Sequence, residues 1–149
     1  MFTVNVYVEA GSAAPRKMRR MTAYVLECTT ASGKMRTIEG FREKEATYHG
    51  AILMTLLDAV KRLNQPCELH IHTQDGYIVN SLNNSLKIWA KNGYQLRNGD
   101  IVKNRLEWEA LYNYLSEHLF TAETGGHSYY SWMIAEMERK NGIHSRNTE

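Results

Sequence analysis

The most constraining feature of this sequence is a change of hydrophobic period, from two to three-and-four and back to two, within its first 73 residues. In Phe2–Val8, Val4, Val6 and Val8 alternate with Asn5, Tyr7 and Glu9, the pattern of a half-buried strand. Met21–Thr29 and Lys34–Phe41 read as two further strands. The short Thr30–Gly33 connection suits an antiparallel hairpin. Over Glu45–Leu63 the period changes: Gly50, Leu53, Leu56, Leu57, Val60 and Leu63 recur at steps of three and four, an amphipathic helix ended by Asn64-Gln65-Pro66. Cys67–Thr73 then alternates again. A strand, a helix and a strand at this spacing imply a crossover into parallel pairing.

The second half carries shorter signals. Tyr77–Leu82 and Asn84–Lys91 fit short helices ended by Asn92-Gly93, and Asn98-Gly99-Asp100 marks a loop. Asn104 reads as the N-cap of a helix over Arg105–His118, with Trp108, Leu111 and Leu115 as its apolar stripe. Phe120–Glu123 reads as a short fifth strand, Thr124–Ser128 as a glycine-rich loop and Tyr129–Lys140 as a last helix. The order predicts an α/β (α+β) mixed sheet with flanking helices: one domain over residues 1–140, then a polar C-terminal tail over 141–149.

Composition narrows the function. The longest apolar stretch, Ala51–Leu57, falls far short of the roughly 20 residues a bilayer span needs, so no membrane role is expected. The segment Met1–Glu9 lacks the basic and long apolar regions of a signal peptide. Cys28 and Cys67, without C-x-x-C spacing, are therefore expected as reduced thiols in a cytoplasmic protein. A net charge of +2 does not by itself argue for nucleic acid. Only three acids are aspartates, Asp58, Asp75 and Asp100.

The strings TQDGYIV (73–79), IWAKNGYQL (88–96) and VKNRLEW (102–108) match, in order and spacing, the pattern T-D-S-x-Y-V, W-x-x-x-G-W, V-K-N-x-x-x-W. Trp89, Gly93, Tyr94, Val102, Lys103, Asn104 and Trp108 carry the match. Upstream, VYVEAGS (6–12) looks like a first strand ending in an acid before Gly-Ser, and ATYHGAILM (46–54) stands where a first helix opens with T-N-N-R-x-E-L. Gly126-His127 looks like a G-H loop. With these motifs the chain resembles type 1 ribonuclease H. The resemblance implies a ribonuclease H-like, five-stranded mixed sheet, RNA–DNA hybrid as the substrate class, and two Mg²⁺ ions held by three aspartates and a glutamate. Such a pair activates water and stabilises the leaving oxygen, and Mg²⁺ favours oxygen ligands.

Carried over residue by residue, most of those acids are replaced. The first falls on Glu9, with Ala10 as an apparent insertion before Gly-Ser, and Glu9 is a candidate metal ligand. The helix glutamate falls on Ile52 and the fourth-strand aspartate on Gln74. Asp75 is one residue further, which on a strand turns a side chain to the other face. The last aspartate falls within Ser131–Ile134, which holds no acid. Glu9, Gln74, Asp75 and His127 are therefore the candidate catalytic positions. His70 and His72, on one face with Gln74, suggest a Zn²⁺ or Mn²⁺ alternative with Glu9, set against plain polar histidines on a strand.

Lys87, Trp89, Lys91, Lys103, Asn104 and Arg105 fall where the resemblance places a basic, hybrid-gripping protrusion. Phosphates ask only for positive charge, and aromatic faces stack on bases. Ser85 stands where many relatives carry a further tryptophan. Arg16, Lys17, Arg19 and Arg20 read as a charged loop. Tyr129, Tyr130 and Trp132 are read as filling a vacant metal cleft together with Ile52, since an apolar side chain is at odds with a charged metal cage.

Three functions are weighed. The first is a degenerate ribonuclease H-like module that binds nucleic acid, RNA–DNA hybrid or duplex, or regulates. It needs no cofactor. The second is an active ribonuclease H with an atypical Mg²⁺ or Mn²⁺ site built from Glu9 with His72, Asp75 or Glu136. The third is a protein-interaction or homo-oligomerisation module presenting Tyr129, Tyr130 and Trp132.

Overall fold

The computed structural model describes residues 1–148, with side chains through Asn141. Its five strands are β1 (Phe2–Ala10), β2 (Met18–Thr29), β3 (Met35–Ala46), β4 (Cys67–Thr73) and β5 (Leu119–Thr124), in the sheet order β3-β2-β1-β4-β5. The β1–β2 and β2–β3 pairs are antiparallel, whereas β1–β4 and β4–β5 are parallel. Among the described residues no helix is long and apolar enough to cross a membrane. Cys28 and Cys67 are free thiols.

The α1-side face of the sheet holds the larger core. Val4, Val6, Val8 and Ala10 of β1 pack there with Ile52, Leu53 and Leu56 of α1 (Tyr48–Val60), and with Trp108, Leu111 and Leu115 of α4 (Arg105–Leu115). A smaller cluster on the other face joins Tyr7, Ala23 and Val25 to Met133 and Met137 of α5 (Tyr130–Thr148). The end of β1 is therefore covered on both faces, not half-buried as the alternation predicts. β3 is an edge strand whose Glu-Lys-Glu run is exposed or half-exposed, and it extends to Ala46.

Several boundaries differ from expectation for local reasons. α1 starts at Tyr48 because Thr47 caps it, its Oγ1 accepting the Gly50 N–H at 3.1 Å. The two expected short helices are one continuous run, α2 (Gly76–Asn80) and α3 (Leu86–Lys91), joined by a π turn over Ser81–Ser85. Asn104 does not cap α4 with its side chain. Its backbone is left-handed, at φ 60°, a conformation asparagine tolerates better than most residues. α5 passes Lys140 and reaches Thr148, with no proline to stop it; side chains 142–149 of the expected polar tail lie outside the described residues.

Arg20 is not part of a charged loop. It lies buried in β2 and donates to the carbonyls of Gly11, Ser12, Ala14, Arg16 and Ala46, tying the β1–β2 connection to the end of β3.

Candidate functional site

The ends of β1 and β4, the start of α1 and the loop before α5 meet where the candidate catalytic residues stand. Glu9 is only 1% exposed. Its carboxylate accepts the Gln74 N–H, at 3.1 Å to one oxygen and 3.4 Å to the other. It also accepts from Nε2 of His127 at 2.7 Å. Nδ1 of His127 accepts the Tyr129 N–H at 3.2 Å, so the ring proton sits on Nε2 and both ring nitrogens are engaged. Burial pushes the Glu9 carboxyl above its ordinary value. The His127 bond and the Gln74 N–H pull the other way without cancelling it, and nearby Asp75 adds to the rise.

Asp75 is equally committed. Its Oδ1 accepts from the N–H groups of Tyr77 and Ile78 at 3.1 and 3.3 Å, capping α2. Its Oδ2 lies 2.6 Å from Nδ1 of His49. His49, on the first turn of α1, was not singled out from the sequence, although it lies three residues before Ile52 and so on the same helix face. Its ring sits 4.5 Å from that of Tyr77 and 5.7 Å from that of Tyr48. Burial, with Glu9, Asp75 and Tyr130 close by, pushes the Tyr48 hydroxyl well above the usual phenol range.

The β1–β2 register runs through Glu9↔Ala23 and Ala10↔Thr22 without a bulge. Ala10 therefore precedes Gly11-Ser12 on the α1-side face with Ile52, and Glu9 turns to the α5 side with Tyr7. Ile52 has no exposed surface. Gln74 is half-buried, and its carbonyl accepts from Thr124 Oγ1 at 3.3 Å. Among the described residues no group of three His, Cys, Asp or Glu is disposed to hold a metal ion. The residues present do not fit a two-metal carboxylate centre, because the α1-side positions are apolar and the two nearby carboxylates are spent on N–H groups and histidines.

The other candidates disperse. His72 stacks on Tyr7 at 4.7 Å and is held between Asn5 (3.1 Å) and Glu123 (3.2 Å), and burial lowers its basicity. His70 faces Thr121 and Glu68. Neither histidine meets Glu9, so the Zn²⁺ arrangement does not form. Glu136 pairs with Arg139 at 2.9 Å. Tyr129 packs on Tyr7 and donates to Glu27 at 2.7 Å, and Trp132 lies edge-on to Phe41, 39% exposed. Tyr129 thus roofs the smaller cluster across the sheet from Ile52 and does not fill a cleft beside it. Tyr130 flanks the His127 ring at 5.9 Å.

Lys87, Lys91, Lys103, Asn104 and Arg105 are exposed, and Arg105 pairs with Glu109 at 3.6 Å. Trp89 is half-buried, braced edge-on against Trp108 at 5.4 Å. Lys87 and Lys91 border a groove with Tyr112, Leu115 and Phe120, whereas Lys103 and Arg105 stand at the start of α4.

A match to the RNase H family covers residues 2–129. Ribonuclease H of Acetivibrio thermocellus is 36% identical over 75 residues, half of each chain. That of Caldicellulosiruptor saccharolyticus is 32% identical over 98 residues, 64% of this chain and 67% of the other. The chain spans between half and two-thirds of the length of the curated relatives it matches. Among solved structures, LC9-RNase H1, described as a type 1 RNase H with the type 2 active-site motif, superposes with a TM-score of 0.75 at 16% identity, covering 95% of this chain and 72% of that one. A foamy viral protease–reverse transcriptase in complex with RNA/DNA hybrid gives 0.61 at 15% identity, covering 91% and 19%. At these identities the structures speak for the fold: a five-stranded mixed sheet with flanking helices, as the sequence predicts. On the length of the family match, and on the order of its strands, this chain belongs to the ribonuclease H family.

Proposed function

We propose that this chain is a ribonuclease H-fold module, over residues 1–140, that binds nucleic acid without two-metal hydrolysis. The observation that carries the reading is that Ala10 and Ile52, at the strand end and on the first helix, are packed into the apolar core. A charged metal cage there would have to be desolvated against aliphatic side chains, at several kcal/mol per uncompensated charge. The exposed Lys87, Lys91, Lys103 and Arg105 offer phosphate contacts, with Trp89 fixing α3 against α4. RNA–DNA hybrid and DNA duplex are the ligands to test, since foamy viral neighbours are solved in complex with each.

Two measurements test this. A labelled hybrid should remain uncleaved in Mg²⁺ and in Mn²⁺ while shifting on a gel; cleavage would restore the atypical-nuclease reading. Binding should weaken steeply with salt, by about 0.9 in log–log slope per phosphate contact on duplex DNA. Lys87→Ala with Lys91→Ala should flatten the slope by about two units with the fold intact. Absence of binding to hybrid, duplex and single strand alike would instead favour a protein-interaction module at Trp132. Restoring acids should not restore a site: Ile52→Glu with Gln74→Asp should destabilise by about 3 kcal/mol or more in chelator. A wild-type melting temperature for that variant would mean the position is open to water.

A further inference from the structure

The cleft between α1 and the β2–β3 edge carries a chemistry that the reading above does not use. It has a volume of about 240 Å³ and is lined by Thr22 and Tyr24 of β2, Gly40 and Arg42 of β3, and Thr55, Asp58, Lys61 and Arg62 from α1 and its end. Gly40 sits in the interior of an edge strand, where a glycine weakens pairing and marks close approach. Here the approach is visible: a Cβ at Gly40 would lie 2.3 Å from the Tyr24 ring. The missing side chain lets Tyr24 lie flat against β3, and its hydroxyl oxygen accepts from Nη1 of Arg62 at 2.8 Å. That oxygen keeps its own proton to donate, and Arg62 keeps further N–H groups.

The charge around the cleft is unbalanced. Asp58 is already neutralised by Lys44 at 2.8 Å. Arg42 and Arg62 have no carboxylate partner among the described residues. Lys61 also lines the cleft, but its Nζ lies 5.9 Å over the Tyr114 ring, outside the lining. The buried hydroxyls do not compete for a ligand: Thr22 donates to the Arg42 carbonyl at 2.6 Å and Thr55 to the Ala51 carbonyl at 2.7 Å. Two arginines without a carboxylate partner and a phenol O–H lining one concavity match a tetrahedral oxyanion better than a cation or a neutral ligand.

We propose that this cleft is an anion site that takes a phosphate group, with Arg42 and Arg62 as its principal ligands and Tyr24 as the side chain that positions Arg62. Thr22 pairs with Ala10, and Thr55 follows Ile52 by three residues on α1, so the cleft adjoins the strand ends. The phosphate is either a phosphodiester of a bound strand or a free phosphomonoester, and the site stands whichever it is.

The test is titration of the whole chain by two-dimensional NMR, with inorganic phosphate, with a short oligothymidylate and with chloride at matched ionic strength. Saturable shifts of the Gly40 amide and the Arg62 side-chain N–H with phosphate or the oligonucleotide are expected, and none with chloride. Tighter saturation by the oligonucleotide assigns the site to a strand; tighter saturation by phosphate assigns it to a monoester. Arg42→Gln with Arg62→Gln, both at exposed positions, should weaken saturation about tenfold or more with the melting temperature unchanged. The Lys87→Ala, Lys91→Ala variant should retain the shifts even where it loses hybrid, separating this site from the proposed grip. Unsaturable shifts, shifts shared with chloride, or full retention in the double arginine variant would overturn the proposal.

Discussion

The carboxylate–histidine pairs Glu9–His127 and Asp75–His49 flank the candidate site, and they are built to opposite specifications. In Glu9–His127 both side chains are sealed, at 2% and 4% exposure, and both ring nitrogens are engaged. In Asp75–His49 the carboxylate is buried but the imidazole is 45% exposed, with one nitrogen pinned and its other edge facing outward. The first pair is a strut between β1 and the loop before α5. The second is a positioned imidazole at the mouth of the site, beside Tyr77. A short carboxylate–histidine distance, 2.7 Å in one and 2.6 Å in the other, does not distinguish them. Exposure and the second nitrogen do.

The largest effect expected from this contrast is on stability. His127→Ala leaves the Glu9 carboxylate buried with only the Gln74 N–H, and a broken buried pair typically costs roughly 3–5 kcal/mol. Urea unfolding should show that loss as a lower midpoint at unchanged m-value. A loss below about 1 kcal/mol would mean that water reaches Glu9, and the sealed pair would have to be redescribed as an open one.

A smaller effect is on pH dependence. The Glu9 carboxyl is raised in the folded chain, chiefly by burial. The native state therefore keeps a proton that the unfolded chain has already lost. Stability should fall as pH rises from the ordinary carboxylate value of 4.5 through the raised folded value. The slope cannot exceed about 1.4 kcal/mol per pH unit for one proton. Glu9→Gln removes this contribution, so wild-type minus variant stability should decrease with rising pH across that window. Parallel profiles for the two proteins would place the Glu9 proton at its ordinary value.

The contrast between the pairs was only half legible in the sequence. Glu9 and His127 were visible as candidates because motif strings frame them, but their union, 118 residues apart, is made by tertiary packing. His49 and Asp75 are 26 residues apart on different elements, and no period links them. β4 was legible to the residue because strict alternation is bounded by Pro66 and by the turn after Thr73. The end of β3 was not, because an exposed edge strand has no buried face to set a period, and its Glu-Lys-Glu run reads equally well as a helix start. The face on which Glu9 stands depends on one residue of register, which the pairing with β2 supplies and a motif string alone does not.

The smallest expected change is at the open pair, and it is the one that best separates positioning from stability. His49→Ala removes a partly exposed imidazole from Asp75, whose Oδ1 keeps its two capping N–H bonds. The remaining Oδ2 becomes accessible to water once the ring is gone, so the loss should be under about 1 kcal/mol, the range of solvent-screened pairs. His49→Asn should recover most of it, since an amide can donate to the same oxygen. Neither variant should alter binding of hybrid if the basic side chains of α3 and α4 carry it. A loss of hybrid affinity in His49→Ala at unchanged stability would instead bring the open imidazole into the interface, through Nε2, which has no hydrogen-bond partner among the described residues. A stability loss as large as that of His127→Ala would dissolve the distinction between the two pairs.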